Sequence, residues 1–107
     1  EFAHLLKKHT RKSDVLARYG GEEFIMLLPQ TPVKAAVAKA EELRGLIGKH
    51  RFSGMEAKNR LTVSIGVSSY PTHKIKDIND IITLADTALY KAKTAGRNTV
   101  VLYNSHM

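Results

Sequence analysis

Two adjacent glycines followed at once by two adjacent carboxylates, Gly20-Gly21-Glu22-Glu23, stand between two apolar runs, and no other stretch restricts the fold of this chain as much. Asp14-Val15-Leu16-Ala17-Arg18 reads as one strand and Phe24-Ile25-Met26-Leu27-Leu28 as a second, so the glycines fall where a tight hairpin turns. Glycine allows positive φ there and removes the side chain that would hold phosphates at a distance. Glu22 and Glu23 would then stand at the turn, where hard oxygen ligands suit Mg2+ held against a triphosphate. An ordinary Gly-Gly hairpin bearing two solvated acids fits the same residues equally well.

Downstream, punctuation and periodicity divide the rest of the chain. Thr31-Pro32 reads as a helix start, with Thr31 as N-cap and Pro32 at the first helical position, and Val33, Ala36, Val37, Ala40, Leu43 and Ile47 share one face. Leu61, Val63, Ile65 and Val67 alternate with Thr62, Ser64, Gly66 and Ser68, a strand with one face in the core that ends by Pro71. Asp77 can cap a second helix with Asp80 in its first turn, Ile81, Ala85, Ala88, Leu89 and Ala92 form its apolar stripe, and Gly96 stops it. Thr99 to Tyr103 supplies a short last strand. The order hairpin, helix, strand, helix, strand predicts an α+β fold in which helices cover an antiparallel-rich sheet.

Composition narrows the partners. A chain of 107 residues, 43% of them hydrophobic, supports one core. Its longest apolar run, Phe24 to Leu28, falls far short of the roughly 20 residues that cross a bilayer. Cysteine is absent, which removes disulfides and thiolate zinc sites, and the five histidines form no metal-binding spacing. The net charge of +7 suits anionic partners. A local basic excess at Lys49, His50, Arg51, Lys58 and Arg60 reads as a solvated loop, and Tyr19, Tyr70 and Tyr103 form no base-stacking motif, so no nucleic acid is expected as partner.

Arg18-Tyr19-Gly20-Gly21-Glu22-Glu23-Phe24 resembles the signature of the GGDEF family of diguanylate cyclases, in the variant with Glu at its third position. Three further stretches match the family in the same order: Leu61 to Val67, Ala85 to Lys93, and Gly96-Arg97-Asn98. The resemblance runs from about Leu5 to Tyr103 and implies a nucleotidyl-cyclase-like fold. The family's opening motifs, Asp-x-Leu-Thr-Gly-Leu-x-Asn-Arg and Asp-x-Asp-x-Phe-Lys-x-x-Asn-Asp, do not occur here. By that resemblance residues 1–107 form the C-terminal part of a domain, without the aspartate that shares the metal ions and without the guanine contacts. Glu1 to Thr10 is then the tail of the helix before the hairpin, although Glu1-Phe2 and Ser105-His106-Met107 look like cloning remnants and are set aside from fold reasoning.

The resemblance also implies roles. Such enzymes condense two GTP molecules into cyclic di-GMP, each 3′-hydroxyl attacking the other's α-phosphate with release of pyrophosphate. Glu22 matches the metal-ligating catalytic position, with Mg2+ as cofactor and Mn2+ as an alternative, and Glu23 matches a supporting catalytic acid. Gly20 and Gly21 match the glycines whose backbone lies along the nucleotide. Lys93 and Arg97 match the cations on the terminal phosphates, though without the resemblance they read first as a pair complementing a helix dipole. Arg11-Lys12-Ser13-Asp14 resembles the Arg-x-x-Asp product-inhibition site, with Arg44 the one nearby substitute for a further arginine some members use. GTP, cyclic di-GMP, a second copy of the chain and a sensory domain in the parent protein are the implied partners. The domain is expected in the cytoplasm, whether or not its parent is membrane-anchored.

Readings from other classes stay open alongside the enzyme. The chain could be a module that senses cyclic di-GMP through Arg11 and Asp14 without making it, or, less in keeping with its aromatics, a basic RNA-binding module with steep salt dependence. The 107 residues alone are expected to be inactive. Lacking the family's preceding strand, they are also expected to expose apolar surface and strand edges and to associate or exchange strands. Sedimentation checks this: dimers are expected, and a clean monomer contradicts the expectation.

Overall fold

The computed structural model describes residues 2–20, 23–52 and 61–107. Helix α1 (Phe2–Lys8) leads to an antiparallel hairpin of β1 (Val15–Gly20) and β2 (Glu23–Leu27). Helix α2 (Val33–Lys49), strand β3 (Ile65–Val67), helix α3 (Ile78–Thr94) and strand β4 (Val100–Leu102) follow. The α+β class and the order of elements are those expected.

In the hairpin, Leu16 pairs with Met26 and Arg18 with Phe24, so these side chains share one face. That face meets Leu6 of α1 and Leu43 and Ile47 of α2, with Leu16, Phe24 and Met26 packed around them. Phe24 anchors the start of β2: its ring lies 5.3 Å from that of Phe2, and the Arg18 guanidinium sits 5.6 Å above it. Phe2, set aside in reading the sequence, thus packs in the core and stacks 6.2 Å from Phe52 as well.

The second unit is β3-α3-β4. The two strands pair in parallel, Ile65 with Val100 and Val67 with Leu102, a parallel element beside the antiparallel hairpin. A helix between two strands returns the chain to the end where it began, so the strands run the same way. The two ladders remain separate two-stranded sheets among the described residues.

Small residues let α3 settle onto β3. Ala88 and Ala92 are fully buried, and a methyl group on Gly66 would lie 2.1 Å from the Ala85 carbonyl oxygen and 2.4 Å from the Leu89 nitrogen. Both obstacles are helix backbone, which has no rotamer by which to move away. At the other end α3 is capped as expected: the Asp77 carboxylate accepts from the Asn79 and Asp80 amides, while Asp80 accepts from the Asp77 amide. The Ser68 hydroxyl donates to the Ile81 carbonyl at 2.6 Å, a further tie between β3's exit and the helix.

Two local expectations differ. The strand expected over Leu61–Val67 is confined to Ile65–Val67, though Leu61 and Val63 still join the core. Helix α2 starts one residue later than expected, with Pro32 as N-cap and no side-chain cap. Thr31 is occupied elsewhere: its hydroxyl donates to the Pro29 carbonyl at 3.0 Å and accepts from Arg11 at 2.7 Å.

Replacing Gly66 by alanine forces the helix off the strand. We expect the Gly66→Ala variant to lose about 3 kcal/mol, the upper end of overpacking costs. Urea unfolding checks it, through a lower midpoint at unchanged slope; a midpoint within error of the parent chain contradicts the close approach.

Candidate functional site

The hairpin turn and the end of α3 come together although they are remote in sequence. Gly20, at the close of β1, has φ +121°, a conformation that favours glycine, and the ladder shifts register between Arg18 and Gly20. Glu23 pairs with Gly20 at the start of β2. Alternation from Phe24, which faces the core, points Glu23 to the other side of the hairpin. There the Lys93 ammonium from the last turn of α3 lies 3.7 Å from a Glu23 carboxylate oxygen, both side chains being half-exposed. Gly21 and Glu22, expected at the turn and at the metal, lie outside the described residues, as do Lys58 and Arg60 of the basic segment.

Beyond Lys93 the chain leaves the helix through three successive residues of positive φ: Gly96 at 116°, Arg97 at 66° and Asn98 at 48°. The Gly96 amide donates to the Lys93 carbonyl and the Arg97 amide to the Ala92 carbonyl, the pairing of a Schellman motif. This matters electrostatically. A helix C-terminus presents carbonyl oxygens that repel anions, and here those amides cover two of them while two cationic side chains flank the same point. Positive φ is ordinary for Gly96 but costs on the order of 1–2 kcal/mol at a residue such as Arg97.

Asn98 is tied in two directions. Its amide donates to Ser64 Oγ at 3.1 Å, and its side-chain oxygen accepts from Arg44 Nη1 of α2 at 3.0 Å. The Arg44 fork also grips Glu41 through Nε and Nη2, and this partner raises the Arg44 pKa further above its already high value. The partners of Arg44, Glu41 and Asn98, differ from those of Arg11, which are Asp14, Pro29 and Thr31. Nothing in the sequence marked Asn98 or Ser64 individually. The residues linked here are far apart in the chain, and only the folded structure joins them.

A third feature lies ahead of β1. Asp14, with its side chain 1% exposed, accepts from the Arg11 amide at 2.8 Å through one oxygen and from the Arg11 guanidinium at 3.1 Å through the other. The Asp14 amide returns a bond to the Arg11 carbonyl, closing a tight turn. Arg11 Nη2 also reaches the Pro29 carbonyl at 3.0 Å and Thr31, which locks the turn to the segment that enters α2. Burial pushes the Asp14 pKa up, but the hydrogen bonds from the Arg11 backbone and side chain, with the positive charges of Arg11 and Lys39, outweigh it and leave the pKa lowered. The Arg11 side chain is itself 56% exposed, open to solvent on its outer side.

For metal binding, no group of three or more His, Asp or Glu side chains gathers among the described residues. Glu23 is the described acid at the turn and faces a lysine. The described donors alone do not make a complete cation site. No described helix is long and apolar enough to cross a membrane.

The chain matches the family model described as "Diguanylate cyclase, GGDEF domain" over residues 1–99. It is 41% identical to diguanylate cyclase A of Treponema denticola over 107 residues, all of this chain and 29% of that protein. Among solved structures it resembles the active GGEEF domain of a diguanylate cyclase from Vibrio cholerae, with a TM-score of 0.87 and 38% identity, covering 97% of this chain and 65% of that one. It also resembles the GGDEF domain of DgcB from Caulobacter crescentus in complex with c-di-GMP, with a TM-score of 0.83 and 30% identity, covering 97% and 61%. The chain thus spans under a third of the curated relative's length.

A lowered Asp14 pKa ties stability to pH. The folded carboxyl holds its proton less tightly than an unfolded one, whose pKa is about 3.9, so its contribution is complete above that value and is lost as pH falls through the lowered folded pKa. Asp14→Ala is expected to cost about 2 kcal/mol at pH 7, typical of charge-assisted hydrogen bonds. It should also flatten the decline in stability below pH 4. Thermal melts from pH 2 to 7 check both, and parallel pH profiles for the two proteins contradict the assignment.

Proposed function

Because this chain belongs to the diguanylate cyclase GGDEF-domain family, we propose that it is part of an enzyme that condenses two GTP molecules into cyclic di-GMP. The observation that carries this reading is the approach of Lys93 to Glu23, which sets the glycine turn and the cationic end of α3 at one place. In this reading the Gly20-Gly21 backbone lies along the nucleotide and Lys93 and Arg97 neutralise its terminal phosphates, Arg97 with a fork and Lys93 with a point charge. Lys93 then exchanges Glu23 for phosphate oxygens when nucleotide arrives.

A divalent cation, Mg2+ or Mn2+, belongs to the same proposal, with Glu22 as ligand and Glu23 in support. When bound it would neutralise charge developing on the phosphates. A carboxylate outside these 107 residues is needed to complete its coordination. Each site holds one GTP, so two copies of the domain meet to join two substrates, with a sensory domain elsewhere in the parent protein controlling their encounter. The expected cytoplasmic location follows from GTP as substrate.

Arg11 and Asp14 form the proposed product-binding site. The support is geometric: the turn is preformed, with Asp14 buried and Arg11 anchored at one edge yet open to solvent at the other. This turn also favours a second reading, a module that binds cyclic di-GMP without synthesising it.

Calorimetric titration separates the readings. Cyclic di-GMP is expected to bind the chain, and Arg11→Ala to weaken that binding at least tenfold; equal binding by both proteins removes Arg11 from the site. The purified 107-residue chain, incubated with GTP and Mg2+, is expected to yield no cyclic di-GMP. Turnover by the chain alone contradicts the need for an external carboxylate and excludes the binding-module reading.

A further inference from the structure

The segment that carries Arg97 is held from outside α3. Residues 96–98 have positive φ, and Arg97, between a glycine and an asparagine that tolerate this backbone, bears a side chain that disfavours it. Such a turn persists where its surroundings over-determine it. From the helix side the Schellman pair fixes the Arg97 amide to the Ala92 carbonyl at 3.0 Å. On the far side the fixing point is Asn98: Ser64, just ahead of β3, accepts its amide, and Arg44 of α2 donates to its side-chain oxygen. The adjoining Ile65 amide donates to the Thr99 carbonyl at 2.9 Å, where the parallel ladder begins. Arg44 in turn cannot swing freely, because Glu41 one turn back holds its Nε and Nη2 while Nη1 reaches Asn98.

No hydrogen bond or ion pair to another described residue holds the exposed Arg97 guanidinium. What the fold fixes is the direction in which this side chain leaves the backbone, and the bonds to Ala92 and Asn98 hold that backbone from its two sides. We propose that Arg44, Asn98 and Ser64 are positioning residues that hold the left-handed turn and so aim Arg97 at a phosphate group beside Lys93. This deepens the phosphate reading given above and rests on it. Arg44 acts through its fork geometry: one plane must satisfy Glu41 and Asn98 together, which an ammonium on a flexible stem cannot do. None of these three residues touches the anion.

The test uses two readouts on the 107-residue chain. Amide hydrogen exchange without ligand reports the turn itself. Titration with inorganic tripolyphosphate reports the cations without requiring guanine contacts. For Arg44→Ala and Asn98→Ala, exchange at the Arg97 and Asn98 amides is expected to rise by about tenfold while the Ala88 and Ala92 amides stay protected, since opening is confined to the turn. Tripolyphosphate affinity should fall several-fold in each, and combining either with Arg97→Ala should weaken it no further than Arg97→Ala alone. Arg44→Lys should behave as Arg44→Ala. Rescue by Arg44→Lys would show that only its charge matters and overturn the proposal, as would unchanged exchange at Arg97 and Asn98. Faster exchange with unchanged affinity in Arg44→Ala, where Arg97→Ala does weaken binding, would overturn the aiming role alone. An Arg97→Ala variant that binds tripolyphosphate as well as the parent chain would overturn the phosphate reading and this inference with it.

Discussion

Helix α3 lies so close to β3 at Gly66 that no methyl group fits between helix backbone and strand, and the placement of everything beyond that helix depends on this contact. With Ala88 and Ala92 buried beneath it, the helix cannot rise or roll without opening a gap in the core. Its last turn therefore delivers Lys93 to a defined place, 3.7 Å from Glu23 on the hairpin. The hairpin is fixed independently by Phe24 wedged against Phe2 and Arg18. Two separately anchored units thus converge on one half-exposed ion pair.

The proposed anion site at the C-terminal end of α3 runs against the helix dipole, and the local chemistry offsets that. Backbone amides of Gly96 and Arg97 cover the carbonyls of Lys93 and Ala92, and the side chains of Lys93 and Arg97 bring positive charge to the same point. Glu23 balances the Lys93 charge at 3.7 Å. The Arg11-Asp14 turn uses a similar economy: a buried carboxylate holds an arginine by one edge and leaves its other edge in water. The same residue pair is thus a structural clasp and, in the proposed reading, a surface for the product.

Much of the fold was legible because its signals are local. The hairpin, the stripes of α2 and α3, the Asp77 cap and the Gly96 stop each follow from residues within a turn or two of one another. The departures come from distant partners. Thr31 has the chemistry of an N-cap, but Arg11 claims its hydroxyl from across the hairpin. Leu61 to Ser64 alternate as a strand does, yet a ladder is only as long as its partner, and β4 begins at Val100 because the chain is still in left-handed backbone at Asn98. The parallel pairing of β3 and β4 is implicit in a strand, helix, strand order. Of the candidate site, sequence indicated the two clusters at the turn and at the end of α3. The bond from Arg44 to Asn98 had no local trace, since neither residue type signals a partner in a remote element.

The most direct test of the claim that hairpin and α3 form one nucleotide site is paramagnetic broadening by GTP with Mn2+ in place of Mg2+, read on the backbone amides of the isotopically labelled chain. The account expects Gly20, Glu23 and the Lys93 to Asn98 segment to broaden together at low stoichiometry, while His73, Asp77 and Tyr103 stay sharp. Broadening confined to the Arg11-Asp14 turn, or spread evenly over the basic surface, would contradict it.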